Sequence, residues 1–376
     1  MDRSDVAKWV GQPIDRAPTP CLTIDRALLE LNLDRMMEEL RPFKKGLRAH
    51  AKTHKCSRLA HLQMEKGAVG ICAAKLSEAE QLHRGGINDI LVTGPLATAD
   101  AYGRVGRLLG RAADLIITFD SYDMAGLASK ILTAEGLTVK CLLDIDIGQG
   151  RTGVPLSEAV GLSEALAALP GIDLIGIQAY AGHAQHIVSL RERESEVRRG
   201  VGQATEVFHG IRSLGIPLQV FSVGGTGSYL WDREFEDVTD IQAGSYTVMD
   251  ADYASLEYEG GASPYRYAMT VHSTVVSARS RERVTLDAGL KALYRDTGVP
   301  RVVSPDGDLH YDWFGDEYGK ISYGPDHSGG ELVAGDRVVL AASHCDPTVN
   351  LHDFFVVVED GIVTDIWPID LRGCSQ

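Results

Sequence analysis

The chain is short of several things, and each shortage narrows what it does. Lysine and arginine number 37 against 52 aspartate and glutamate, a formal charge of −15. An acidic balance of that size argues against nucleic acid or an anionic membrane as partner. No run approaches the ~18 apolar residues of a membrane span, and the opening stretch MDRSDVAKWVGQP has no apolar signal core. A cytoplasmic protein is expected. The six cysteines (Cys21, Cys56, Cys72, Cys141, Cys345, Cys374) are scattered without a CxxC pair, so disulfides and a cysteine zinc site are not expected and most thiols should be reduced and buried. Internal repeats and low-complexity segments are absent.

What is present is a regular alternation from about residue 45 to 250. Short β-rich runs recur at Ala68–Cys72, Asp89–Thr93, Leu115–Phe119, Val139–Leu143, Leu174–Ile177 and Gln219–Val223. Helical segments lie between them, at Ser77–Arg84, Ala99–Gly110, Ser157–Leu169 and Ser189–Leu214. Ser77-x-x-Glu80 has the pattern of a capping box and predicts a helix start there. Near-continuous apolar strands alternating with helices imply a parallel sheet covered on both faces. With the run ending at His50 and the run Asp240-Ile241-Gln242, the count is roughly eight β/α units, that of a (β/α)8 TIM-type barrel. A doubly wound open sheet competes, but no GxGxxG follows the first strand.

Beyond about residue 262 the helical periodicity stops. Ala268–Val276, Arg337–Leu340 and Phe354–Val358 are separated by turn chemistry such as Glu359-Asp360-Gly361 and Pro305-Asp306-Gly307-Asp308. This predicts a second, mostly antiparallel β domain over 263–376, with 1–22 packing on it, after a barrel over 23–262.

In a parallel barrel, chemistry belongs at the C-terminal ends of strands. His50-Ala51-Lys52-Thr53-His54-Lys55 ends the first barrel strand. Strand periodicity would put His50, Lys52 and His54 on one face, flanking an amine with imidazoles; such a lysine can form a Schiff base. The competing reading is a basic surface loop. Later strand ends carry Arg151 on the glycine-rich run 144–153, and Tyr180, His183 and His186 on the run 178–186. Gly224-Gly225-Thr226-Gly227 and Gly244-Ser245-Tyr246 follow the seventh and eighth strands, where barrels often cradle a phosphate. A Schiff-base lysine with two such loops points to pyridoxal 5′-phosphate.

With Ala74-Lys75-Leu76-Ser77-Glu78-Ala79-Glu80, Gln178-Ala179-Tyr180, Asp287-Ala288-Gly289-Leu290-Lys291-Ala292 and Ser343-His344-Cys345-Asp346-Pro347-Thr348 added, the sequence resembles the D-threonine aldolase and D-serine dehydratase family, pyridoxal-phosphate enzymes of fold type III related to alanine racemase. The resemblance runs over nearly the whole chain. It implies that Lys52 carries the cofactor, that Tyr180 bonds its pyridine nitrogen and that Arg151 stands near its phenolic oxygen. It gives Gly224, Gly225, Thr226 and Gly227, with Gly244, Ser245 and Tyr246, to the phosphate, and His186 to orienting the substrate. His344 and Asp346 would hold Mn²⁺, Mg²⁺ or Co²⁺; two apart on a strand, they would share one face, with Cys345 on the other.

Two departures matter. Glu317-Tyr318-Gly319 stands where the family often has Glu-His-Gly, and Asp346 stands where dehydratase members tend to have cysteine, which favours an aldolase. The implied activity is cleavage of small D-β-hydroxy-α-amino acids to glycine and an aldehyde by a homodimer. Alternatives are a D-3-hydroxyaspartate aldolase, a D-serine or 3-hydroxyaspartate dehydratase and, from a different class, a non-catalytic pyridoxal-phosphate carrier.

Overall fold

The computed structural model describes residues 6–280 and 282–376. The first five residues of the opening stretch read for a signal sequence lie outside the described residues. Two compact units are formed. One comprises Met36–Lys52, Ser57–Gly244 and Gly373–Gln376, the other the residues up to Arg35 with Thr53–Cys56 and Ser245–Arg372.

Strands are numbered in chain order: β1 (Cys21–Asp25), β2 (Gly46–His50), β3 (Gly70–Ala73), β4 (Asp89–Val92), β5 (Asp114–Phe119), β6 (Val139–Asp146), β7 (Val154–Pro155), β8 (Ile172–Ala179), β9 (Val220–Val223) and β10 (Asp240–Ile241). In the first unit β5, β4, β3, β2, β10, β9, β8 and β6 lie side by side in parallel, and β5 pairs back with β6, which closes an eight-stranded barrel. The two-residue β7 is an appendage on β6. The barrel expected from the alternation is therefore present. Its strands are mainly apolar because both faces are covered; Cys72, Leu91, Ile116, Leu142 and Ile175, one from each of five strands, form a buried layer.

Local chemistry explains the helix starts. Thr98 accepts the amide of Ala101 (3.2 Å) ahead of the helix Ala99–Leu109, and Ser189 accepts that of Glu192 ahead of Leu190–Ser213. The Ser77 capping box does not form. That helix begins at Leu76, and the buried Glu78 carboxylate takes the amides of Ala74 (2.8 Å) and Lys75, while Glu80 pairs with Arg104 at 2.8 Å. A carboxylate one turn into the helix satisfies the orphan amides here, so the serine is not needed.

The second unit holds β1 and the later strands: β11 (Met269–Ser277), β12 (Arg283–Leu286), β13 (Arg301–Ser304), β14 (Leu309–Trp313), β15 (Gly319–Tyr323), β16 (Arg337–Ala341), β17 (Phe354–Glu359) and β18 (Ile362–Pro368). The order β12-β15-β14-β13-β16-β11, closed by β11 with β12, is an antiparallel ring, extended through β1, β17 and β18. Only β1 and β17 run parallel among these pairs. Asp360 and Gly361, at φ +50° and +76°, make the tight turn between β17 and β18. Val6, Ile14 and Ala17 pack with Val356, Val363 and Ile366. Among the described residues no helix is long and apolar enough to cross a membrane. Five of the six cysteines are buried and none is bonded to another.

Candidate active site

β2 stops at His50, and Ala51–Thr53 is a turn of 3₁₀ helix. Lys52 and His54 therefore do not continue the strand, and the expected row of imidazole, amine and imidazole on one strand face is not formed. The Lys52 amide faces His50 Nδ1 at 3.5 Å, and His50 Nε2 meets Thr93 Oγ1 at 3.3 Å, which itself donates to the Ala73 carbonyl. A neutral His50 protonated on Nε2 satisfies this chain. His54 is fully buried and its Nδ1 accepts the Cys56 amide at 3.2 Å, so it shapes the turn.

The Lys52 ammonium lies instead over the Tyr180 ring, 6.0 Å from its centroid, and the Arg151 guanidinium lies over the same ring at 5.7 Å. Three residues from separate strand ends, β2, β6 and β8, are thus brought together. Arg151 reaches its place through an ordered loop: the Asp146 carboxylate accepts the amides of Gly148 (2.9 Å) and Gly150 (3.1 Å). Burial works against its charge, yet those amide bonds hold the Asp146 carboxyl below its ordinary range. His186 is exposed on the loop beyond Gly182–Ala184.

Inside the barrel, side chains join across the strands. Gln178 donates through Nε2 to Asp144 Oδ1 (2.9 Å) and to the Thr93 carbonyl (3.0 Å) at the end of β4, and Gln242 donates to Gln178 Oε1 (3.1 Å) and Ser222 Oγ (2.9 Å). Ser222 continues to Asp240, and Arg48 pairs with Asp240 and Asp89. Burial raises the Asp144 carboxyl, opposed by bonds from Gln178 and Thr152. This buried polar chain is linked through Thr93 to His50 and so to the lysine turn.

After β9, Gly224 takes φ +86° and the loop turns into the short helix Tyr229–Asp232. Gly225 N–H donates to Ser228 Oγ (3.1 Å) and Gly227 N–H to Gln185 Oε1 (3.0 Å), so Gln185 and Ser228 form the loop's frame. Thr226 is buried within it. Gly244 closes the barrel segment, whereas Ser245 and Tyr246 are buried in the second unit, where Tyr246 packs edge-on against Tyr265 at 5.7 Å.

The second unit carries the expected metal pair. Its geometry differs from the strand that the two-residue spacing suggested: His344 is the N-cap of the helix Cys345–Val349, and Asp346 sits in its first turn. An extended N-cap followed by helical residues folds the two side chains back toward each other, and His344 Nε2 lies 3.4 Å from Asp346 Oδ2. His344 Nδ1 meets Asp296 Oδ2 at 2.7 Å. Burial disfavours the charged imidazole, but Asp346 and then Asp296 outweigh it and lift His344 to about 9. Cys345 is fully buried; its amide donates to Asp250 Oδ2, and burial pushes its thiol well up.

The donor chemistry fits both groups. An amine and a guanidinium over one phenol ring, with a glycine-threonine loop at a barrel strand end, suit an aldehyde, a phenolate and a phosphate. Two ligands bound at about 2.1 Å on adjacent octahedral positions stand about 3.0 Å apart, close to the 3.4 Å between His344 and Asp346. Among the described residues no three ligating groups cluster, so water or substrate would complete the coordination. Sequence reasoning gave no role to Asp144, Gln178, Gln185 or Gln242, although all four lay in runs it singled out at strand ends, and it missed Asp250 and Asp296 altogether.

A parallel barrel with a lysine on the turn after its first strand, in one chain with an antiparallel β ring, defines the alanine racemase-like class of pyridoxal-phosphate folds. Residues 24–252 match the alanine racemase N-terminal domain, and 268–358 a putative serine dehydratase domain. The D-threonine aldolase of Arthrobacter sp is 36% identical over 97% of this chain and 96% of its own length. The 3-hydroxy-D-aspartate aldolase of Paracoccus denitrificans (strain Pd 1222) is 33% identical over 98% and 96%. The crystal structure of D-threonine aldolase from Filomicrobium marinum, 33% identical, matches with a TM-score of 0.93 over 98% of this chain and 99% of that one. The chain belongs to the D-threonine aldolase and D-serine dehydratase family, and it is an enzyme of the lyase class. That sets aside the carrier alternative.

Proposed function

We propose that this protein is a pyridoxal-phosphate- and divalent-metal-dependent aldolase that cleaves D-β-hydroxy-α-amino acids of the D-threonine type to glycine and an aldehyde. When bound, pyridoxal phosphate supplies an electron sink for the charge left at Cα, and Mn²⁺, Mg²⁺ or Co²⁺ a Lewis acid for the β-hydroxyl. The barrel unit would supply Lys52, Arg151, Tyr180 and Gly224 to Gly227 to the cofactor, and the second unit His344 and Asp346 to the metal.

Each side chain has a task in this reading. The Lys52 amine would hold the cofactor at its carbonyl carbon. The Arg151 guanidinium neutralises the phenolic oxygen, and Tyr180, beneath both cations, orients the ring through its hydroxyl. Gly224 to Gly227, with Gly244, Ser245 and Tyr246, hold the phosphate. His344 Nε2 and Asp346 Oδ2 hold the metal, and His186 orients the substrate. The protein works as a cytoplasmic homodimer.

The observation that carries the reading is the convergence of His344 and Asp346, an imidazole and a hard carboxylate 3.4 Å apart. A carboxylate rather than a thiolate keeps the ion hard and suited to a hydroxyl oxygen, which supports carbon–carbon cleavage over loss of the hydroxyl. The 33% identity to a 3-hydroxy-D-aspartate aldolase supports a second reading, in which the side chain beyond the β-carbon is a carboxylate. The test is an amino-acid screen of purified protein with Mn²⁺, scoring aldehyde against 2-oxo acid. Acetaldehyde and glycine from D-threonine support the proposal, glyoxylate and glycine from D-3-hydroxyaspartate alone support the second reading, and a keto acid that keeps all the substrate's carbons, with no glycine formed, overturns both.

A further inference from the structure

The motif Asp287–Ala292 takes no part in the proposed reaction, yet it leads directly into the segment that braces His344. Asp287 is tied to β11, its Oδ1 accepting from Ser273 Oγ and the Thr274 amide at 2.8 Å each. From this anchor the chain turns at Gly289, whose carbonyl accepts the amides of Ala292 and Leu293 at 3.0 Å. It then runs along residues 343–352 and is fastened to them repeatedly. The Ala292 carbonyl meets His352 Nε2 (2.8 Å), the Tyr294 amide donates to Thr348 Oγ1 (3.2 Å), and Ser343 Oγ donates to the Tyr294 carbonyl (3.2 Å). The final fastening is Asp296 to His344.

That last contact differs from the others in what it fixes. Asp296 is held by its own turn, Oδ1 accepting the Thr297 amide at 2.9 Å, which aims Oδ2 at the imidazole. A carboxylate only accepts, so His344 Nδ1 must carry the proton in the 2.7 Å bond. On the other side of the ring, Nε2 stands 3.4 Å from Asp346 Oδ2, a longer and weaker contact. The shorter contact sets the ring's orientation: it keeps Nδ1 and its proton on the Asp296 side and turns Nε2 toward Asp346.

The geometry points to Asp296 as the positioning residue of the metal site: it holds His344 so that Nε2, and not Nδ1, is the nitrogen presented beside Asp346, and the loop from Asp287 to Asp296 is the brace that holds Asp296. This rests on the metal reading above. Partners of this kind on a ligating histidine typically change metal affinity about 10–100-fold when removed.

The test is Mn²⁺ binding to the pyridoxal-phosphate-loaded protein, read from the free-ion electron paramagnetic resonance signal, beside thermal melting and the Mn²⁺ dependence of aldehyde release. Asp296→Ala is expected to weaken Mn²⁺ about 10–100-fold, with kcat recovering at saturating metal. Asp296→Asn, which keeps an acceptor, should restore much of the affinity. Lys291→Ala, which removes an exposed pair with Glu317 in the same loop, should leave the affinity unchanged. Where Asp296→Ala yields no folded protein, Asp296→Ser, too short to reach the ring, takes its place. Wild-type Mn²⁺ affinity in the Asp296 variants, with binding lost in His344→Ala, overturns the inference and leaves the metal reading standing. Absence of Mn²⁺ binding in the wild type overturns both.

Discussion

Gly225 and Gln185 touch: a Cβ built at 225 overlaps the Gln185 amide, which is fully buried. Gln185 accepts the Gly227 amide and donates to Ser228 Oγ at 2.8 Å, so the loop after β9 is shaped from behind by one glutamine. Gly225→Ala is therefore expected to cost about 1–3 kcal/mol of stability through overpacking and to lower cofactor occupancy only as the loop distorts. Combined with Gln185→Ala it should cost less than the sum of the two changes. Melting and cofactor occupancy of the three variants check this. Wild-type melting in Gly225→Ala, with the cofactor lost, would mean that the glycine serves the phosphate directly.

Lys52, over Tyr180 at the mouth of the barrel, is expected to carry the cofactor. Borohydride reduction followed by peptide mapping should find the label on Lys52, and Lys52→Ala should lose the cofactor's visible absorption. A label on Lys55 or Lys75 would move the attachment point and undo the assignment.

Asp346→Ala, or chelation of the wild type, should abolish aldehyde release from D-threonine while the visible absorption of the bound cofactor persists. Cys345→Ala should retain cleavage, because the thiol is buried at the start of its helix and its amide faces Asp250. Full activity in chelated protein removes the metal from the mechanism.

Asp232, fully buried, and His272, half-buried, pull the pH dependence of stability in opposite directions. Burial raises the Asp232 carboxyl from 3.8 to about 7. The folded state then binds more protons between those values, so stability is fully present below pH 3.8 and is lost as pH rises to about 7, by at most ~4 kcal/mol. Asp232→Asn should accordingly help more at pH 8 than at pH 5. His272 is held from 6.5 down to about 4 by burial and then by Arg337. Its contribution is present above pH 6.5 and is lost as pH falls toward 4, by at most ~3 kcal/mol. Denaturant unfolding across pH 4–8 checks both signs; for His272→Gln the acid-side loss should shrink.

The architecture was legible in the sequence because its causes are local. Strands buried on both faces are mainly apolar, helices between them need their own caps, and a strand end is where a barrel exposes chemistry. Lys52, Arg151 and Tyr180 could be picked out one by one on that ground, and the tertiary fold brought them to one ring. Periodicity misled wherever the backbone changed type within two residues. It carried β2 past His50 into a 3₁₀ turn, and it made a strand of His344 to Asp346, where an N-cap and a helix turn bring the side chains together. Gln178 reaching Thr93, and Asp296 reaching His344, join residues that are 85 and 48 positions apart. Barrel closure and the fastening of the loop 287–296 create those contacts, and nothing in the neighbouring sequence encodes either distance.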